Sequence, residues 1–240
     1  MSQQNVQPLN KNVHGKTKLK AQKNFKQVEA QHLVPLVVHE FSRASAEFPV
    51  VFVKNSDNGT FQPVALFGLK PGENLFTAGE YWGGTYVPAA VTHFPLALVP
   101  ESQDSDNYMV IIATDNEVVN EEEGQALFEE NGDETEYLAK RKEAMASYLE
   151  HSHITRMFTK ELADKDLLVQ QNLEIDLNGE KIAINGLYLV NEKKLNELSD
   201  EEYLELRKRG FLGPVFAHLN SMHQVHRLVQ KKAQLAAETA

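Results

Sequence analysis

Cysteine is absent from the 240 residues. That excludes disulfides, thiolate zinc sites and a cysteine nucleophile, and with them a small oxidised secreted scaffold. No apolar run approaches the ~20 residues of a membrane span. The longest, such as Val50–Val53 and Met109–Ala113, have the length of a strand. The opening residues Met1-Ser2-Gln3-Gln4 lack an apolar signal core, so no secretion signal is expected and a cytoplasmic location is the default. Lys and Arg are missing from residues 101–136, which hold thirteen acids, and acids are missing from residues 11–26, which hold six lysines. Both runs read as solvated surface rather than as a metal site or a nucleic-acid tail. A formal net charge of −10 further argues against general affinity for phosphate backbones.

What is present is an ordinary globular balance, 42% apolar and 24% charged, enough to bury a core over most of the chain. Residues 1–30 are the exception. They are polar and rich in Gln, Asn and Lys, and they predict a basic, loosely ordered N-terminal arm ahead of a folded domain over 31–236.

The spacing predicts a helix over Val34 to Glu47, with Pro35 in its first turn and Leu36, Glu40, Phe41 and Ala44 on one face. Strands over Val50–Val53 and Phe61–Leu69 flank Asp57-Asn58-Gly59, a hairpin signal. Pro88 can open a short helix, and strands follow over Pro95–Val99 and Tyr108–Ala113, joined by a turn at Asp104-Ser105-Asp106-Asn107. Asp133 with Glu136 resembles a capping box ahead of a helix to about Leu149, with a second helix over Ile154 to Val169. Leu173–Leu177 and Lys181–Ile184 alternate about Asn178-Gly179, and Asn185-Gly186 leads into Leu187–Val190. Ser199 and Glu202 form a capping box for a helix that Gly210 ends, and Pro214 starts a last helix to about Gln234. Strands and helices come in runs rather than in βαβ alternation. The fold class is therefore α+β: mixed or antiparallel sheets, with helices inserted in the middle and at the C-terminus, in a compact two-lobed fold.

The best site candidate is the stretch from Gly72 to Phe94. Glu73 and Asn74 are polar groups in a turn, Tyr81, Trp82 and Tyr86 surround Gly83-Gly84, and His93 closes the stretch. Aromatic walls with a few fixed polar groups describe many ligand pockets. The competing reading is structural: Trp82 and Tyr86 anchor a loop to the core, while Glu73 and Asn74 close its turn. His151/His153 and His223/His226 are close in sequence, but no HExxH or twelve-residue calcium loop accompanies them, and Gly83-Gly84 is not a dinucleotide or P-loop fingerprint. No GxSxG elbow is present either. No catalytic residue, metal ligand or cofactor is assigned on these grounds.

Several blocks in order carry a family resemblance. They are His39 to Phe52, Ala65-Leu66-Phe67-Gly68-Leu69 with Gly72 to Phe76, Tyr86-Val87-Pro88-Ala89-Ala90 with Phe94 to Leu98, Gly186 to Val190, and Gly210-Phe211-Leu212 with Ala217 to Ser221. Over about residues 30 to 230 the chain resembles the SapC family, the surface-layer-locus group and not the peptide-permease subunit of the same name. His93 stands where the family more often has arginine. The resemblance implies a bacterial accessory protein encoded near halogenase-like and cupin-like enzymes, and it brings no catalytic residues.

The expected function is therefore a non-catalytic ligand-, peptide- or protein-binding partner of such halogenase-like or cupin-like enzymes. An enzyme of uncharacterised type acting on a peptide or small molecule, and a surface-layer assembly factor, stand as alternatives.

Overall fold

In a computed structural model, residues 5–102, 107–177 and 180–238 are described. The expected turns at Asp104-Ser105-Asp106 and Asn178-Gly179 lie outside them. In chain order the elements are β1 Val6–Pro8, α1 Lys11–His14, β2 Lys18–Leu19, β3 Leu33–Pro35, α2 Phe41–Ala44, β4 Val50–Lys54, β5 Phe61–Leu66, α3 Ala89–Thr92, β6 Leu96–Pro100 and β7 Tyr108–Ala113. They continue with β8 Val119–Asn120, β9 Gln125–Ala126, α4 Glu136–Asp164, β10 Leu168–Gln170, β11 Leu173–Leu177, β12 Glu180–Ile184, β13 Leu187–Val190, α5 Glu192–Asn196, α6 Asp200–Lys208, α7 Leu212–Ser221 and α8 Gln224–Glu238. Every strand pairing among the described residues is antiparallel, and with the helices this makes the fold α+β. The chain divides into two compact units, residues 1–23 with 91–150 and residues 24–90 with 151–240.

The first unit has two three-stranded sheets, ordered β1-β7-β6 and β8-β2-β9. Its core joins Leu19, Leu96, Ile112, Leu127, Leu138 and Met145. The polar composition of residues 1–30 predicts a loose arm, yet β1 lies along β7 with Val6 opposite Ala113, and Leu19 of β2 is buried in the core. Partner strands distant in sequence supply the hydrogen bonds and apolar contacts that local composition lacks.

The second unit is built on a five-stranded sheet ordered β10-β13-β4-β5-β3. The β4–β5 hairpin forms as its turn residues dictate, with Gly59 at φ +71°. Leu33–Pro35 is an edge strand rather than a helix start, with Val34 opposite Ala65. An edge position tolerates proline because no ladder donor is needed there. Only the single turn of α2, preceded by a 3-10 turn over Val38–Glu40, remains of the expected helix. Phe41, Phe48, Phe52, Phe67 and Phe158 are fully buried in this unit.

The expected helix pair at 136–169 is one 29-residue helix, α4. His151-Ser152-His153 contains neither Gly nor Pro, so nothing breaks the backbone ladder there. Its cap is Thr135, whose Oγ1 accepts the Leu138 N–H at 3.2 Å, rather than Asp133. At α6 the Ser199–Glu202 capping box is complete in both directions. The last expected helix is two, α7 and α8, divided at Met222-His223.

Candidate functional site

In the second unit β5 runs into a long loop, residues 67–88, that carries five of the six candidate residues. Its first turn closes on itself. Glu73 Oε2 accepts the Leu69 N–H at 2.9 Å, and Leu75 N–H donates to the Phe67 carbonyl at 2.9 Å. Gly68 lies so close beneath this turn that a Cβ there would sit 2.3 Å from the Glu73 carbonyl oxygen. The other Glu73 oxygen pairs with Lys232 of α8. Asn74 is buried. Its Nδ2 donates to the Val28 carbonyl at 3.0 Å and its Oδ1 accepts the Phe76 N–H at 2.9 Å.

Trp82 is 9% exposed and lies among rings: Phe76 stacks on it at 5.5 Å, and Phe67, Phe25 and Phe48 meet it edge-on at 5.2, 5.8 and 6.4 Å. Its indole N–H donates to the Tyr86 carbonyl at 2.8 Å. The Tyr86 hydroxyl donates to Glu40 Oε1 at 2.5 Å, and Arg43 lies 5.2 Å from its ring centroid. Tyr81, in contrast, is 60% exposed. Trp82 is buried and Tyr86 half-buried, and the indole N–H and the phenol hydroxyl each donate to a neighbour.

Two buried carboxylates that local sequence did not single out hold the far end of the loop. Glu40 Oε1 also accepts the Ala89 N–H at 2.8 Å, and its Oε2 accepts the Val37 N–H at 2.9 Å. Glu47 accepts the Thr85 hydroxyl, and its Oε2 lies 3.5 Å from the Arg227 guanidinium of α8. Lys231 Nζ donates to the Gly83 carbonyl at 3.1 Å and lies over the Phe76 ring. Burial and the neighbouring Arg227 lower the Lys231 pKa, with Glu47 acting the other way.

His93 belongs to the first unit, and the other five candidates to the second. Burial, then the Arg141 charge, pushes its pKa down to about 4. That guanidinium donates to the carbonyls of Thr92, His93 and Phe94 at 2.9, 2.6 and 3.3 Å. The ring meets Tyr148 edge-on at 5.3 Å. Among the described residues no group of three His, Asp or Glu is placed to hold a metal ion.

A concave feature of this unit lies beside the loop. An open, polar groove of about 730 Å³ runs between residues 24–30 and residues 72–80. Asn24, Lys26 and Glu29 line one wall, and Asn74, Thr77 and Glu80 the other. Asn24 Nδ2 crosses to the Gly79 carbonyl at 3.2 Å. Phe25, at φ +54°, turns its ring onto Trp82. That left-handed conformation costs a residue with a Cβ about 1–2 kcal/mol, and it is held by the ring packing. Of the sequence candidates only Asn74 lines the groove; Glu73 adjoins it from within the turn. The 24–30 wall escaped sequence reasoning because it lies in the stretch whose composition predicts little order.

These features define an α+β protein with a braced loop beside an open polar groove. The SapC family model matches residues 9–228, and the chain belongs to the SapC family. No curated protein and no solved structure matches it. Among the described residues no helix is long and apolar enough to cross a membrane.

Proposed function

We propose that the chain is a non-catalytic accessory protein of the cytoplasm that binds an extended polar segment of a partner protein in the 24–30/72–80 groove. The partners are the halogenase-like or cupin-like enzymes that the family resemblance implies. One observation carries the reading: Asn74 is buried and fixed by two hydrogen bonds, yet it forms part of a groove wall. A wall held this way loses little freedom when a ligand docks, which is what pre-organised binding surfaces require. The hydrogen bonds of Glu73, Trp82 and Tyr86 that brace the loop support the binding reading over the enzymatic one.

Native mass spectrometry of the purified chain with halogenase-like and cupin-like proteins encoded beside it tests this. The reading expects a stoichiometric complex with at least one of them, weakened about tenfold or more by Ala78→Trp, which fills the groove without touching the core. Absence of any complex, or a complex indifferent to Ala78→Trp, contradicts it.

A further inference from the structure

Apart from Gln7 and Tyr108, the β1-β7-β6 sheet of the first unit is apolar on both faces. Side chains alternate along a strand, so residues of one parity share a face. Leu96, Leu98, Val110 and Ile112 join the buried cluster. The other parity brings together Val6, Pro8, Ala97, Val99, Met109, Ile111 and Ala113: Val6 is opposite Ala113, Pro8 opposite Ile111, Ile111 opposite Ala97, and Met109 opposite Val99. None of these seven belongs to that cluster; Val6, Pro8 and Ala97 are exposed, Val99, Met109 and Ile111 are half-buried, and Ala113 is buried. A sheet with one solvated face alternates apolar with polar residues, whereas strands apolar on both faces belong to sheets covered on both.

Size and charge select the cover. With strands about 4.8 Å apart and a rise of about 3.4 Å per residue, the face measures roughly 15 by 17 Å, or about 250 Å². A stable dimer buries about 800 Å² on each partner, so the face suits a helix of two or three turns better than a second copy. The unit carries fifteen Asp and Glu against eight Lys and Arg, a net of −7. Glu101 directly follows β6, and Asp115 and Glu117 follow β7. Lys20, Lys140 and Lys142 are already paired with Glu123, Glu136 and Glu134. A second copy or an anionic lipid surface would be repelled by such a field, and a basic segment attracted.

We propose that this sheet face docks a short amphipathic helix of a partner protein, apolar on one side and flanked by Lys and Arg. The inference deepens the accessory reading by naming a second partner surface, and its test reads that surface alone.

The probe is a labelled Leu/Lys amphipathic peptide of about 18 residues, long enough to hold a helix while two or three of its turns seat on the face, followed by fluorescence anisotropy on the full chain. A Leu/Glu peptide of the same pattern and vesicles of phosphatidylcholine with phosphatidylglycerol serve as the other arms. The Leu/Lys peptide is expected to bind, with amide NMR shifts clustered in β1, β6 and β7. Its affinity is expected to fall about tenfold in the Val6→Gln/Ala97→Gln double variant, and to weaken as salt rises from about 50 to about 300 mM. Both substituted positions are exposed, so the variant should melt with the wild type. Ala78→Trp should leave this binding unchanged, which separates failure here from failure of the groove reading. Unchanged binding by the double variant, or equal binding of the Leu/Glu peptide, overturns the proposal. So does a dimer that the double variant dissolves, or preferential vesicle binding, since either assigns the face to another occupant.

Discussion

His218 is fully buried, and its two ring nitrogens bridge the central strands. Nε2 accepts the Val190 N–H at 3.0 Å, and Nδ1–H donates to the Val50 carbonyl at 2.6 Å. These partners require the neutral Nδ1–H tautomer, because a charged ring would set a second N–H against the Val190 donor. Burial lowers its pKa from 6.5 to about 4, with the Val50 carbonyl acting the other way. The folded state therefore binds the proton less readily than the unfolded chain. His218's contribution is complete above pH 6.5, is lost as pH falls toward 4, and amounts to about 3 kcal/mol. Urea midpoints measured from pH 7 to pH 4 should fall across that window. His218→Gln should be less stable at pH 7 and show a flatter slope, the residual slope reflecting His93, which is lowered in the same direction. At Glu40, Glu40→Gln replaces one acceptor among three donors with a donor. It should cost about 2–4 kcal/mol in urea unfolding, whereas Tyr86→Phe, which removes one donor and leaves two, should cost about 1–2.

At the scale of elements, the braced loop carries the account. A Cβ on Gly84 would sit 2.9 Å from Glu47 Oε2 and 3.1 Å from the Trp82 indole nitrogen. Gly84→Ala must therefore displace one of them, and it should destabilise by about 1–3 kcal/mol. Trp82 is the only tryptophan, so emission reports on the loop directly: blue-shifted in the wild type, red-shifted in Gly84→Ala. Elements with local signals were legible in sequence. The β4–β5 hairpin has Asp57-Asn58-Gly59, and α6 has Ser199 and Glu202 at capping spacing. Elements fixed by distant partners were not. Val34 reads as helical until Ala65 pairs with it, and β1 reads as loose until Ala113 does. The site divides the same way. Asn74 was visible as a turn asparagine, but nothing near Glu40 or Glu47 shows that their partners lie 46 and 38 residues away.

For the whole molecule, the proposed reading is that polar and aromatic groups of this SapC-family chain hold the loop and the groove beside it in shape for a partner. Lys231 and Lys232 fasten α8 to the loop at Gly83 and Glu73, and Arg227 pairs with Glu47, which accepts the Thr85 hydroxyl of the loop. Lys232→Ala should therefore loosen the turn next to Asn74 and weaken groove binding, with little change in global stability. Its Glu73 partner is largely buried, so the local loosening of the turn should exceed that from losing an exposed ion pair. Hydrogen exchange of the chain with and without a neighbouring halogenase-like or cupin-like enzyme is the most direct measurement. The account predicts slowed exchange across residues 24–30 and 72–80 in the complex. Unchanged exchange in both segments, with partner bound elsewhere or not at all, would contradict it.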